Sequence, residues 1–202
     1  MPHVHPEGED RNQVNPSATA WSGGPRLPRT LARNVCRGEA AQGEICQAAN
    51  DNDPGQVVVS GHKAAVERAV EIAKTRGAKR AVMLPVSAPF HCEMMAPAAE
   101  KMAEALAGVE IAAPRVPVVA NVLAEAVDDP ARIRELLVQQ VTGAVRWRES
   151  VQWMDGQGVT EIWEIGAGKA LSGMVRRIAR HIECRAVGTP EDVKAAAESA
   201  TA

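Results

Sequence analysis

The stretch from Gln56 to Val86 constrains the fold most. Gln56-Val-Val-Val-Ser60 is a β-branched run bounded by Pro54-Gly55 and by Gly61, the punctuation of a short strand. Lys63 to Thr75 then places Val66, Ala69, Val70 and Ala73 at helical spacing, and Gly77 closes the helix. Arg80 to Val86 is strand-like again. A strand, a helix and a strand within about thirty residues have the dimensions of a βαβ-type unit.

The alternation continues downstream. Met94 to Leu106 carries Met95, Ala98, Met102 and Leu106 on one helical face, and Val116 to Val122 reads as a strand. Asp129-Pro130 reads as an N-cap with proline at the first helical position, opening a helix through Val141. Ile162 to Ile165 is a short strand, and Gly166-Ala-Gly168 turns the chain into a helix with Leu171, Met174, Val175 and Ile178. Arg185 to Val187 is a last strand, and Thr189-Pro190 starts a terminal helix that Asp192 can cap. Such alternation predicts an α/β architecture.

Residues 1 to 38 read differently. Five prolines fall in the first thirty positions, five arginines and no lysine precede Gly38, and the apolar residues follow no period. Such a segment buries too little apolar surface to offset its ordering entropy.

Composition narrows the function classes. The chain has 202 residues, 46% hydrophobic and 24% charged, which fits one large or two small soluble domains. A net charge of −2 gives no field for nucleic acid or an anionic membrane, and 2% aromatics give no base-stacking platform. No run reaches the ~18 apolar residues of a membrane span, and no signal-peptide pattern opens the chain. Cys36, Cys46, Cys92 and Cys184 are scattered, without disulfide or zinc-ligand spacing, which fits a reducing, cytoplasmic setting with no metal.

His91 is the sharpest chemical feature. It lies in Leu84-Pro-Val-Ser-Ala-Pro-Phe-His-Cys92, between a predicted strand and a helix, where α/β enzymes display catalytic groups. A neutral imidazole there can act as general base toward a hydroxyl or thiol, or can simply pack at a turn. Cys92 is its neighbour, but adjacent side chains at a turn diverge. Gly166-Ala-Gly-Lys169 is not a phosphate loop, because Trp163 stands where the upstream glycine belongs and Ala170 follows the lysine. It reads as a tight turn able to offer N–H groups to an anion. His3 and His5 form a weak metal-binding pair, Asn50 to Asp53 read as a turn, and Arg176, Arg177 and Arg180 form a basic helical face. No G-x-S-x-G nucleophile elbow occurs.

These residues together carry a family resemblance. The segments are Ala48-Ala-Asn-Asp-Asn-Asp-Pro-Gly-Gln-Val-Val-Val-Ser-Gly-His62, Gly77-Ala-Lys-Arg80, Leu84 to Cys92, Val116-Pro-Val-Val-Ala-Asn-Val122, Val145-Arg-Trp147, Gly156-Gln-Gly-Val159 and Glu164-Ile-Gly-Ala-Gly-Lys169. From about Ala41 to Glu198 the chain resembles the C-terminal part of the malonyl-CoA:acyl carrier protein transacylases.

The resemblance implies transfer of malonyl from malonyl-CoA to the phosphopantetheine thiol of acyl carrier protein, in fatty acid biosynthesis. The route is ping-pong through an acyl-serine and uses no further cofactor. His91 would be general base for the serine and general acid for the departing thiol. A backbone carbonyl in Gly156-Gln157-Gly158 would hold the imidazole tautomer. Phe90 matches the aromatic of malonyl-selective members, and Asn121, Arg176 and Arg177 would be substrate or partner contacts. The family's serine elbow, its carboxylate-pairing arginine and its oxyanion loop lie upstream of the matched region, so the chain alone is expected not to turn over.

The implied fold is α/β: a partial α/β-hydrolase-like acyltransferase domain with an incomplete ferredoxin-like small subdomain. Residues 1–38 would be an irregular segment, disordered or translated out of frame, since Pro, Arg, Gly, Ala and Ser are what GC-rich DNA encodes in any frame. Residues 39–87 would supply part of the small subdomain and 88–202 the C-terminal part of the large one. A sheet short of its central strands exposes apolar edges, so marginal stability is expected. Two other readings stand beside the enzyme fragment: a non-enzymatic module binding acyl carrier protein or CoA, and one half of a two-chain acyltransferase.

Overall fold

A computed structural model of the chain describes residues 16–22 and 29–200. Residues 1–15 and 23–28 lie outside the described part, and with them the His3-His5 pair and much of the segment read as out of frame.

The predicted strand, helix and strand are present as β3 (Gln56–His62), α2 (Lys63–Thr75) and β4 (Arg80–Leu84). They join β1 (Pro16–Ser22), α1 (Arg29–Asn34) with a π-helical turn over Val35–Ala40, and β2 (Cys46–Asp53). The strand order is β2-β3-β1-β4, with every neighbouring pair antiparallel. A β-α-β-β-α-β chain in this order is a split βαβ sheet. Two expectations need correction here. The described part of residues 1–38 is not irregular: β1 lies inside the sheet, with Ser17 opposite Gly61 and Ser22 opposite Arg80. The four-stranded sheet therefore has its first strand and helix, rather than only the part expected from residues 39–87.

Period decides what this region buries. Ala65, Val66, Ala69, Val70 and Ala73 form one stripe of α2 and are all buried. Ala65, Val66, Ala69 and Ala73 pack on Val57 and Val59 of β3 and on Ala32, Val35, Cys36 and Ala40. Alanines on the stripe let helix and sheet approach closely, which is how so alanine-rich a chain builds a core. Gly61 serves the same closeness, because a Cβ there would sit on the backbone carbonyl of Ile45.

The second region is α3 (Ala96–Ala107), the hairpin β5 (Val118–Ala120) and β6 (Glu125–Val127), α4 (Pro130–Thr142), α5 (Trp147–Gly156), β7 (Glu161–Ile165), α6 (Ala170–Ile178), β8 (Glu183–Val187) and α7 (Pro190–Ala200). Asp129 caps α4 as predicted, accepting from the N–H groups of Ala131 at 3.3 Å and Arg132 at 3.0 Å. Asp192 accepts from the N–H of Gly188 and of Thr189 at the start of α7. Strands β7 and β8 pair in parallel across α6. A small core of Val151, Val175, Ala179 and Ile182 lies between α5, α6 and β8.

Asn50 to Asp53 are the end of strand β2, not the expected turn. Their carboxylates explain why polar residues occupy a strand. Arg148 donates to Asp51 Oδ2 at 2.8 and 3.1 Å, and Arg177 Nε donates to Asp53 Oδ2 at 2.7 Å. The edge of β2 is also bonded by backbone: the Asp51 N–H donates to Val145 at 2.9 Å, and the Val145 N–H donates to Ala49 at 2.8 Å. Strand β2 is thus the seam between the two regions. No helix among the described residues is long and apolar enough to cross a membrane.

Candidate active site

His91 stands in the loop between β4 and α3 with φ of 61°, a left-handed backbone that few non-glycine residues adopt. Its Nδ1 lies 3.0 Å from the backbone carbonyl oxygen of Gln140. That carbonyl is available because Gln140 is in the last turn of α4, where helix carbonyls lack intrahelical donors. Gly143 follows, and a side chain there would collide with Val122 and with the Gln139 carbonyl. A carbonyl oxygen only accepts, so Nδ1 carries the proton in the neutral ring and the lone pair is on Nε2.

Gln157 does not hold the imidazole. It is exposed at the end of α5, and its N–H donates to Trp153 at 3.0 Å and Met154 at 3.1 Å. The carbonyl facing His91 belongs to Gln140, which sequence reasoning passed over; its one signal was a helix ending at Gly143. Asn121 is in the same neighbourhood, donating from Nδ2 to Gln140 Oε1 at 3.4 Å. Phe90 precedes His91 and is 48% exposed.

His91 opens on a cavity of about 490 Å³ between the two regions, with Glu93 and Thr142 on one wall and Arg37, Cys46 and Gln47 on the other. Cys92 is no nucleophile for this cavity. It is buried, its thiol donates to the Pro89 carbonyl at 3.1 Å, and burial pushes its pKa up. Cys36 is pushed up further by its contact with the Cys46 thiol and by burial.

The start of α6, just past the Gly166 to Lys169 turn, is taken by a carboxylate of this chain. The Glu164 carboxylate accepts from the N–H groups of Leu171 at 3.0 Å and Ser172 at 2.7 Å, and from the Ser172 hydroxyl at 2.6 Å. Those bonds, the Ser172 hydroxyl first, hold Glu164 below the ordinary carboxylate range. Arg176 and Arg177 are exposed on α6, and Arg177 is tied to Asp53; neither lines the His91 cavity. Among the described residues, no three potential metal ligands come together.

No protein-family model matches the chain. A malonyl CoA-acyl carrier protein transacylase of Salmonella typhimurium is 46% identical over 158 residues, 78% of this chain and 51% of its own length. An acyl-carrier-protein S-malonyltransferase from Bartonella henselae has a crystal structure that superposes with a TM-score of 0.87 at 48% identity, covering 94% of this chain and 59% of that one. A malonyl-transacylase solved in complex with its type II polyketide acyl carrier protein superposes with a TM-score of 0.86 at 40% identity, covering 92% of this chain and 59% of that one. The chain spans about half the length of the curated relatives it matches. By sequence and by fold, this chain is related to the malonyl CoA-acyl carrier protein transacylases.

Proposed function

We propose that this chain supplies the acid–base half of a malonyl transfer from malonyl-CoA to acyl carrier protein. The observation that carries the reading is His91, with Nδ1 on the Gln140 carbonyl and Nε2 left as base at the mouth of the cavity. In this reading a serine hydroxyl gives its proton to Nε2 as its oxygen bonds to the thioester carbonyl carbon. The C–S bond breaks and the CoA thiolate takes the proton from Nε2. In the second half the phosphopantetheine thiol gives its proton to Nε2, attacks the ester, and the serine oxygen takes the proton back. The serine would come from the part of the relatives' length that this chain does not match. Among the described residues, no serine hydroxyl is bonded to His91.

The split βαβ sheet would be the ferredoxin-like small subdomain. The second region would contribute to the α/β-hydrolase-like large one, as its parallel β7–β8 pair fits. Asn121 would steady Gln140, Phe90 would face the acyl group, and the exposed face of α6 bearing Arg176 and Arg177 would meet the acidic carrier protein.

A chimera tests the reading: residues 39–198 replace the matching part of the Salmonella relative, and radiolabelled malonyl-CoA and holo acyl carrier protein are supplied. Label should reach the carrier protein, and His91→Ala should slow transfer by ~10²–10⁴. Transfer that survives His91→Ala overturns the acid–base role. Saturable binding of carrier protein by a chimera that transfers nothing favours the binding-module reading instead.

A further inference from the structure

Along β2, whose pairing with β3 shifts register at Ala48/Asn50 and at Asp51/Asp53, residues 47, 49, 51 and 53 all meet the second region. Ala49, Asp51 and Asp53 make the seam already described. Gln47 does something different. Its Oε1 accepts from the backbone N–H of Glu93 at 2.8 Å, and its Nε2 donates to the Glu93 carboxylate at 2.6 Å. One side chain of the first region thus grips one residue of the His91 loop through two bonds in a closed ring. Glu93 is two residues beyond His91, and Gln47, Glu93 and His91 all line the same cavity.

We propose that Gln47 is a positioning residue for His91, resting on the reading of His91 as the acid–base group. A left-handed non-glycine residue persists only where its surroundings over-determine it. The ties around His91 include the Gln140 carbonyl at the ring, the Cys92 thiol on Pro89 and the Met95 N–H on the Cys92 carbonyl within the loop, and Gln47 on Glu93. Of these, Gln47 is the tie that comes from the four-stranded sheet. It sets the loop against β2, and so sets the distance over which the ring reaches Gln140. Releasing Glu93 frees the backbone on the C-terminal side of His91 to relax from its positive φ, which turns Nδ1 away from the carbonyl.

The test reads the ring rather than turnover. Nitrogen-15 spectra of the full chain, with His91 assigned by its loss in His91→Ala, give its tautomer. Backbone amide exchange gives the state of Glu93. In Gln47→Ala, Glu93 should exchange faster by on the order of tenfold, and the Nδ1–H tautomer of His91 should lose several-fold in population. Gln47→Glu, which sets two carboxylates face to face, should do the same. The exchanged pair Gln47→Glu with Glu93→Gln restores both bonds, the side-chain bond with its polarity reversed and the backbone N–H of residue 93 still donating, and should return both signals. Faster exchange at Glu93 with an unchanged tautomer in both single variants overturns the proposal and leaves Gln47 a loop contact only. Failure of the acid–base reading would appear in the transfer assay and leave these spectra untouched, so the two failures are distinct.

Discussion

The four-stranded sheet and the region that follows it bury their apolar residues on different terms. In the first, Val57, Val59, Val66 and Ala69 are fully enclosed between one sheet and its helices. In the second, the buried cluster between α5, α6 and β8 has four residues, while Val116 is 71% exposed and Ile165 76% exposed. Both regions are built from short strands and alanine-rich helices, so composition does not separate them. Closure does. A sheet of four strands with helices across it covers its own face, whereas two-stranded pairs cannot. The His91 cavity sits where the closed region meets the open one, with His91 carried by the open side and the neighbouring Glu93 bonded to Gln47 of β2.

The largest way to break this comparison is at Gly61. Gly61→Val forces a side chain into the Ile45 backbone and should cost more than about 3 kcal/mol, read as loss of the cooperative urea transition. A small effect there would mean the first region is not the rigid unit. Matched cavities sharpen the contrast next. Val59→Ala should cost about 2 kcal/mol, and Val175→Ala about 1 kcal/mol, because the half-buried Trp147, Met154 and Ile162 around its small cluster can collapse onto the gap. Equal costs would erase the distinction.

The seam gives a third handle. Asp51 is 1% exposed and faces Arg148, so Asp51→Asn keeps a hydrogen bond and loses the charge, at about 1–2 kcal/mol. Amide exchange should then show the second region opening ahead of the first; joint opening would deny that β2 couples them. The smallest effect is acid-dependent. Glu164 has its folded pKa lowered, so its contribution is present above the unfolded value and is lost as pH falls through the folded one. The start of α6 should loosen only below the ordinary glutamate range, seen as faster exchange at Leu171 and Ser172. Glu164→Gln should weaken those amides at neutral pH and flatten that acid dependence.

Much of the architecture was legible from residues alone. The helix over Lys63–Thr75 was read to its ends because an unbroken apolar stripe ran between a β-branched strand and Gly77. Asp129-Pro130 was equally readable, since capping is local chemistry. Strand β2 was not. Asn50, Asp51, Asn52 and Asp53 are turn formers by propensity, and what makes them a strand is Arg148 and Arg177, about a hundred residues away in sequence. Strand β1 was missed for the same kind of reason: its place in the sheet comes from backbone pairing with β3 and β4 on either side, which no local period announces.

The site divides along the same line. The sequence by itself determined where His91 stands, between a strand and a helix and inside its motif, because both are written in the order of residues. Only the tertiary structure decided which carbonyl orients it. Gln157 is the choice by motif; Gln140 is the choice made by the end of α4, whose carbonyl reaches His91 from 49 positions along the chain. The Gln47 grip on Glu93 belongs to the same class. Capping, turns and amphipathic stripes depend on neighbours within a few residues and can be read along the chain. A histidine's tautomer depends on what folding sets beside it, and that is a property of packing.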